Sequence, residues 1–267
     1  MKSPFLISLP HCSSKIPDDI AAALALDENK IQQSEDFGTK EIFGSLPAPI
    51  IEAKFSRLVV DLNRNPDNTG AKGVIAKTDY SGQQIYRPGK YPDQETISHL
   101  ISRYFKPFHD KLENSFASSD IKFLFDCHSL NGIGPKDAPD AGKKRKDIIL
   151  SNNGDLNGNP DHKRGPVSCP FNILMFIKST FENHGFSVSI NHPYRGGFIS
   201  VEYGQKYSLK HALQIEMNQA LYMNLEDKVP DPGRIKAIRL EFADIFKEFA
   251  EFLYADGVYG CLKPCIS

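Results

Sequence analysis

Short β-rich runs alternate with longer amphipathic runs along this chain, and this alternation constrains the fold more than any other feature. The β-rich runs FLISL (5–9), FSRLVVDL (55–62) and IKFLFDCHS (121–129) are separated by stretches with helical periodicity, such as 93–116. A last amphipathic helix is predicted from about Arg234 to Tyr254. Strands that alternate with helices pack as a sheet flanked by helices, so the sequence predicts an α/β fold.

The chain is predicted to form a single domain over residues 1–267. Its hydrophobic content of 40% is enough to bury a substantial core, and we find no internal repeat. Residues 131–170 are rich in Gly, Pro, Asn, Asp and Lys, which is typical of a long loop. We expect this segment to be a surface excursion within the domain, and long loops of this kind often border functional sites.

The charge balance favours a small-molecule partner over nucleic acid or a membrane. The 33 acidic and 32 basic residues nearly cancel, so the chain has no strong overall field, and the basic run at 143–146 is interpreted as a solvated face. The N-terminal apolar run is too short for a signal peptide, and no later segment approaches the ~18 apolar residues of a membrane span. We therefore expect a cytoplasmic protein; the sequence does not predict an oligomeric state.

The five cysteines form an odd set without a CxxC pair. This pattern argues against a disulfide framework and against a cysteine-rich zinc ribbon, so most of them are expected to be small buried residues. They are Cys12, Cys127, Cys169, Cys261 and Cys265.

Several predicted strands end in polar residues that are suited to chemistry. In an open α/β sheet the carboxyl ends of the strands meet at one edge, and ligands bind in the crevice there. We therefore expect these residues to share one pocket. The strand ends are Pro10-His11, Asp61-Leu62-Asn63-Arg64, Asp126-Cys127-His128-Ser129, Asn191-His192-Pro193-Tyr194 and Gln214-Ile215-Glu216.

Two of these strand ends carry histidines that suit a zinc ion. His11 and His128 supply imidazole nitrogens, and catalytic zinc usually takes three protein ligands. Glu35 and Asp36, in a loop that precedes a probable helix, offer a third ligand. A carboxylate in that place is equally expected to cap the helix, and both interpretations of Asp36 stay open.

Glu216 lies in the otherwise apolar run HALQIEM, where burying an unpaired carboxylate is costly. A general base would justify this position, and an ion pair with a core arginine would explain it equally well. Asn63 and Arg64 have the same two interpretations, because they could belong to a site or could simply stabilise a turn.

Six segments, in this order, resemble the N-formylglutamate amidohydrolase family: LPHCSSKIP, SRLVVDLNRNPDN, IYRPG, LFDCHSL, NHPYRGGFIS and LQIEMNQALYM. Together they extend over most of the chain. That family is related in fold to zinc carboxypeptidases and to aspartoacylase-like deacylases. The resemblance therefore implies a mixed, mostly parallel sheet flanked by helices, of the phosphorylase/hydrolase-like kind, with a zinc ion at its edge.

The resemblance implies one Zn²⁺ per chain held by His11, His128 and a carboxylate. Asp36 matches an acidic position of the family and is the predicted third ligand, with Glu35 as the alternative. The zinc carboxypeptidases draw two ligands from a His-x-x-Glu motif, whereas here Ser14 stands at the glutamate position.

The resemblance also implies roles for further residues. Glu216 matches the general base of the zinc carboxypeptidases, and the Asn63-Arg64 pair matches a pair that grips a substrate carboxylate in those enzymes. Arg57 and Arg64 are candidates to share the charge of the tetrahedral intermediate. The remaining implied substrate-binding residues are Arg87, for a second carboxylate, and Tyr194, Gly196 and Gly197, which line the pocket.

These implications predict zinc-dependent hydrolysis of an acidic N-acylamino acid, with N-formyl-L-glutamate as the preferred substrate and L-glutamate and formate as products. The resemblance suggests a place in histidine degradation. A metallo-deacylase or carboxypeptidase-like enzyme with another acyl substrate is the main alternative, and a metal-free binding protein on the same fold is another. A metal-free hydrolase using Ser129 or Cys12 is disfavoured, because His128 and Ser129 are neighbours that point to opposite faces of a strand.

Overall fold

A six-stranded sheet forms the centre of the molecule. The computed structural model describes residues 3–224 and 229–255, so Cys261 and Cys265 lie outside the described residues. The strands are β1 (Phe5–Leu9), β2 (Ile50–Glu52), β3 (Phe123–Leu130), β4 (Ile148–Ser151), β5 (Val188–Ile190) and β6 (His211–Asn218). They lie side by side in the order β2-β1-β3-β6-β4-β5.

The sheet is mixed and mostly parallel, as predicted. Strands β2, β1, β3 and β6 are parallel neighbours, β4 is antiparallel to β6, and β5 is parallel to β4. Every residue of β1, β3 and β6 is buried. Parallel strands covered on both faces require nearly continuous apolar sequence, which explains FLISL and the apolar part of FLFDCHSL.

Helices flank the sheet. They are α1 (Asp18–Ala21), α2 (Glu28–Gln33), α3 (Thr39–Ile42), α4 (Gln94–Leu100), α5 (Lys106–Phe116), α6 (Phe171–Asn183), α7 (Phe198–Lys206) and α8 (Pro232–Tyr254). A π-helical segment, Ile101–Phe105, joins α4 to α5, and short 3₁₀ turns occupy Phe43–Ser45 and Gln219–Leu221. Among the described residues, no helix is both long enough and apolar enough to cross a membrane.

The C-terminal helix α8 shows how sequence and packing agree. Its N-cap is Asp231, whose side chain accepts hydrogen bonds from the backbone amides of Gly233 and Arg234. Pro232 occupies the first turn. Phe246 and Phe249 of α8 are fully buried against Phe125 of β3, with ring centroids 5.0 Å and 5.7 Å from it. Burying each such ring contributes roughly 1.5–3 kcal/mol, which fixes the helix on the sheet.

One predicted strand is wrong. Residues 55–62 are mostly buried but form turns, and the strand beside β1 is instead Ile50–Glu52. Ser56 and Asp61 accept hydrogen bonds from backbone amides two residues further along, at 3.2 Å and 2.9 Å. Such local bonds compete with a strand ladder, so an apolar, β-branched run can be buried without joining the sheet.

The segment 131–170 is not wholly a surface loop. It contains β4, all four residues of which are buried between β6 and β5. The run IILS is too short to stand out among the turn-forming residues around it, and its neighbours in the sheet come from distant parts of the chain. The rest of the segment forms loops that border the cavity described next.

Candidate active site

A cavity of about 850 Å³ opens where β1, β3 and β6 end. Its floor includes His11, which follows β1, together with His128 of β3 and Glu216 of β6. Loops complete the wall, including parts of 57–64, 131–164 and 191–197. The predicted convergence of these polar residues in one cavity is therefore observed. Two of the five groups do not lie at the expected strand ends: residues 61–64 follow turns, and residues 191–194 follow a strand that runs in the opposite direction.

His11, Asp36 and His128 form a group that could hold a metal ion. All three are buried, and one ligand atom from each lies within 4.8 Å of the others. Oδ2 of Asp36 lies 2.8 Å from Nδ1 of His128 and 3.5 Å from Nδ1 of His11. The three atoms face one another as the ligands of a small cation do.

Both imidazoles present the same nitrogen to this group. Nε2 of His11 lies 2.8 Å from Oδ1 of Asp61, and Nε2 of His128 lies 3.0 Å from Oδ2 of Asp126. A carboxylate accepts the Nε2 proton in each pair, which leaves the Nδ1 lone pair for a metal ion. Nδ1 of His11 is buried without a hydrogen-bond partner, as expected for an atom whose partner is a cation.

The charges around the group also favour a cation. Burial opposes the charge of His128, but the carboxylates of Asp126 and Asp36 outweigh it and raise the pKa of His128 well above its ordinary value. Burial likewise acts against the Asp36 carboxylate, yet the two neighbouring histidines hold its pKa well below the ordinary range. The pocket thus stabilises positive charge between these ligand atoms, and the donor set suits zinc.

Asp36 is positioned by its loop and does not cap a helix with its side chain. The N-cap of α3 is Gly38, at φ +78°. The carbonyl of Phe37 accepts hydrogen bonds from Ser129 Oγ at 2.9 Å and from Tyr222 Oη at 2.5 Å, which ties the loop to β3 and to the turn after β6. Glu35 also lines the cavity but lies outside the group of candidate ligands.

Glu216 is buried in the cavity floor and, among the described residues, has no cationic partner within ion-pair distance. Its Oε1 accepts a 2.9 Å hydrogen bond from Nε2 of Gln214. Burial raises the pKa of Glu216 to about 7, against the opposing effect of His128. A carboxyl group with such a pKa is suited to exchange protons near neutral pH.

The side chain of Asn63 is bound through both its nitrogen and its oxygen. Its Nδ2 donates to Asp126 Oδ2 at 2.9 Å and lies 3.0 Å from Nε2 of His128. Its Oδ1 accepts from the amide of Ile199 at 2.8 Å, at the start of α7. Gly197 lies so close that a Cβ there would fall 2.3 Å from the Asn63 amide. Asn63 therefore lines the cavity while it fixes the Asp126-His128 pair.

Arg57 and Arg64 both line the cavity but are bound differently. Arg57 is paired with Asp61 at 2.7 Å and lies 3.8 Å from Oδ1 of Asp36, so it reaches the candidate metal group. Arg64 donates to the carbonyls of Lys72 and Asn63, at 3.3 Å and 3.1 Å. Among the described residues it has no carboxylate within ion-pair distance, although its charge also acts on the Asp61 carboxylate.

The other predicted substrate-binding residues divide into two sets. Tyr194, Gly196 and Gly197 line the cavity. Arg87 does not; it is exposed, and its Nε donates to the carbonyl of Leu24 at 2.9 Å. Cys12 is buried, and burial raises the pKa of its thiol to about 12, which makes it a poor nucleophile.

The sequence alone did not assign roles to several residues of this site. Asp61 and Gln214 stood in the strand-end pattern, but nothing in the sequence paired them with His11 and Glu216. Three arginines reach the cavity from loops whose course no local pattern predicts. They are Arg145, Arg164 and Arg195.

An α/β fold with a buried His-Asp-His group and a buried glutamate at the carboxyl ends of parallel strands defines a candidate metal-dependent hydrolase. The model of the N-formylglutamate amidohydrolase family matches residues 3–223, and the chain belongs to this family.

The individual proteins that resemble this chain match it over most of their own length. An N-formylglutamate deformylase of Pseudomonas aeruginosa is 26% identical over 270 residues, covering 95% of this chain and 94% of that protein. An N-formylglutamate deformylase of Pseudomonas putida is 27% identical over 233 residues, covering 82% of each chain. The crystal structure of an N-formylglutamate amidohydrolase from Ralstonia eutropha superposes with a TM-score of 0.75 at 18% identity, covering 94% of both chains. A gene product of Agrobacterium tumefaciens superposes with a TM-score of 0.71 at 17% identity, covering 95% of this chain and 93% of that one.

Proposed function

We propose that this protein hydrolyses the amide bond of N-formyl-L-glutamate to give L-glutamate and formate. The observation that carries the proposal is the buried group of His11, Asp36 and His128 beside Glu216 in one cavity. The names of the two Pseudomonas relatives support the choice of substrate. The site belongs to a single catalytic domain that includes the loops of 131–170.

Zinc is the metal that the two imidazoles and one carboxylate fit best, and one ion per chain is proposed. When bound, such an ion polarises an amide carbonyl and lowers the pKa of water toward 7. Asp61 and Asp126 hold the two imidazoles through Nε2, so that Nδ1 of each would be available to the ion.

Glu216 is proposed as the general base and acid. Its carboxylate takes a proton from the water that attacks the formyl carbon, and the same proton then passes to the nitrogen of the departing amino group. The C–N bond then breaks with its electron pair on the nitrogen, which gives formic acid and the neutral amine. The acid proton passes to the amine, and formate and L-glutamate leave. Gln214 holds one oxygen of Glu216, so the other is free to meet water.

Arg57 and Arg64 supply positive charge to the reacting molecule. Arg57, which approaches the Asp36 carboxylate, shares the negative charge that develops on the former carbonyl oxygen. Arg64 binds the substrate carboxylate nearest to the scissile amide, with Asn63 fixing the backbone beside it. Tyr194, Gly196 and Gly197 form part of the wall around the substrate.

Formate release from N-formyl-L-glutamate tests this proposal. The protein is purified without chelators or a histidine tag, and its release rate is compared with that from N-acetyl-L-glutamate and N-acetyl-L-aspartate. Formate release that stops on chelation and returns with zinc supports the proposal. Hydrolysis of the acetyl compounds alone would indicate a metallo-deacylase with another acyl substrate. No hydrolysis with added zinc would contradict the proposal in favour of a binding protein.

A further inference from the structure

Two of the basic side chains that line the cavity have no carboxylate within ion-pair distance among the described residues. Six Lys and Arg side chains line it, and four of them are paired with aspartates. The pairs are Arg57 with Asp61 at 2.7 Å, Lys72 with Asp137 at 3.1 Å, Arg145 with Asp140 at 2.7 Å, and Arg195 with Asp161 at 3.2 Å.

Arg64 and Arg164 are the remaining two. Within residues 3–224 and 229–255, neither guanidinium has a carboxylate at ion-pair distance. Four further acidic residues line the cavity: Glu35, Asp36, Asp79 and Glu216. Asp36 faces the two histidines, Glu216 accepts from Gln214, and the Asp79 carboxylate accepts from the amides of Ser81 and Gln83 in its own turn. The two arginines without an ion-pair contact match the two carboxylates of a dicarboxylic amino acid.

Arg164 is held in place by a buried asparagine. Asn153 is 4% exposed and adopts φ +68°, and its Nδ2 donates to the carbonyls of Arg164 and Pro166 at 3.1 Å and 3.0 Å. Its Oδ1 accepts from Nε of Arg164 at 3.3 Å. Fixing the arginine at Nε leaves both terminal nitrogens free, and these can bind a carboxylate through two parallel hydrogen bonds.

The two arginines lie at different places along the wall. The Arg64 guanidinium acts electrostatically on the Asp61 carboxylate, which lies 2.8 Å from Nε2 of His11, so Arg64 lies toward the metal end of the cavity. Arg164 belongs to the loop that Asn153 ties to the backbone of Arg195, through a 2.7 Å hydrogen bond from the Asn153 amide. A substrate that bridges both arginines needs one carboxylate near its amide bond and a second at the end of its side chain.

We infer that Arg164 binds the side-chain carboxylate of the substrate and so selects acidic N-acylamino acids. This inference rests on the proposed function, and it gives Arg164 the role that the sequence suggested for Arg87. Arg164 touches substrate only at this distal carboxylate, so it sets specificity without taking part in bond cleavage.

The test compares N-formyl-L-glutamate with N-formyl-L-glutamine, which has the same length and lacks the second charge. Arg164→Gln is expected to lower kcat/KM for N-formyl-L-glutamate about tenfold to a hundredfold, mainly through KM, because a charged hydrogen-bonded pair is lost. The value for N-formyl-L-glutamine is expected to change less than about threefold, and Arg164→Lys to recover part of the loss. Lys163→Gln is the matched control, since it removes one positive charge from the exposed neighbour outside the cavity wall.

An equal loss on both substrates, or no loss on either, would overturn the inference. If the wild-type protein releases formate from neither compound, the proposed function fails, and calorimetric binding of L-glutamate and L-glutamine decides the carboxylate site separately. A preference for L-glutamate that disappears in Arg164→Gln supports the site. A preference that is unchanged or absent in the wild-type protein overturns it.

Discussion

His128 and Glu216 are paired across the parallel strands β3 and β6, with their Cα atoms in register. A candidate metal ligand and a buried carboxyl group are thus neighbours on the sheet itself, and both line the cavity. Asp126 and Gln214 are paired in the same way two residues earlier on the two strands, and each contacts the candidate functional residue on its own strand. The pair of Asp126 and Gln214 therefore positions the pair of His128 and Glu216, the candidate ligand and the candidate base.

Replacing Glu216 with Gln is expected to abolish turnover while the metal stays bound. The amide keeps the shape of the side chain but cannot accept a proton from water, so kcat should fall by about 10²–10⁴. Stopped assays of formate release and metal analysis of the same samples measure both effects. Loss of metal together with activity would instead indicate that Glu216 is a ligand.

The pH dependence of the wild-type enzyme follows from the same group. Glu216 acts as a base only when ionised, and burial raises its pKa to about 7. Activity should therefore be half-maximal near pH 7, approach its full value about one pH unit higher, and fall as the pH decreases below 7. A kcat profile that stays flat from pH 8 to pH 5 would contradict this assignment.

Replacing Asp61 with Asn is expected to weaken metal binding without removing a ligand. Asp61 accepts the Nε2 proton of His11 at 2.8 Å and so orients its Nδ1. Loss of such a partner typically lowers metal affinity by about 10- to 100-fold, measurable by competition with a chelator. Asp137→Asn, which removes a carboxylate from the same cavity wall, is the control and should leave the affinity unchanged.

The sequence predicted which polar residues meet in the cavity better for strand ends than for loops. His11, His128 and Glu216 were recognisable because a polar residue at the end of a buried strand is costly unless it has a function. Asp36 had two equal interpretations, since its contact with His128 joins residues far apart in the chain. Only the folded structure separates a ligand from a helix cap there.

Whether Arg87 and Arg164 line the cavity could not be predicted from the sequence. Arg87 stands in a distinctive motif, yet its Nε is bound to the carbonyl of Leu24 and it lies outside the cavity wall. Arg164 stands in a loop without periodicity, and it reaches the cavity because Asn153 binds the backbone around it. Hydrogen bonds of this kind leave no regular pattern in the sequence.

Replacing Gly197 with Ala is expected to disturb Asn63. A Cβ at this position would lie 2.3–2.5 Å from three atoms of the Asn63 amide, so that side chain must move from Asp126 and His128. We expect a loss of about 1–3 kcal/mol in unfolding free energy, measured by urea denaturation, and a lower kcat. Gly44→Ala is the control, because its Cβ would make only ordinary contacts at 3.8 Å and 3.9 Å.

Acid should destabilise the protein partly through His109. Its Nε2 donates to the carbonyl of Leu62 at 2.9 Å, and burial lowers its pKa to about 4. The unfolded chain takes up a proton near pH 6.5 and the folded protein does not, so stability is full above pH 6.5 and is lost as the pH falls toward 4. Between pH 7 and pH 4.5 this linkage amounts to about 2–3 kcal/mol.

His109→Gln should reduce that acid-induced loss by about the same amount in urea denaturation at the two pH values. The control is the exposed His99, and His99→Gln should leave the loss unchanged. An acid-induced loss of unfolding free energy of the same size in His109→Gln and in the wild-type protein would contradict the role of His109 in acid destabilisation.

The central claim is that His11, Asp36 and His128 hold a metal ion, and metal content by mass spectrometry tests it most directly. Protein purified without chelators or a histidine tag should carry close to one zinc per chain, as should Glu216→Gln. Asp36→Ala and His128→Ala should carry almost none while remaining folded by circular dichroism. Wild-type protein that stays free of metal after incubation with zinc, or that binds it equally well in these two variants, would contradict the claim.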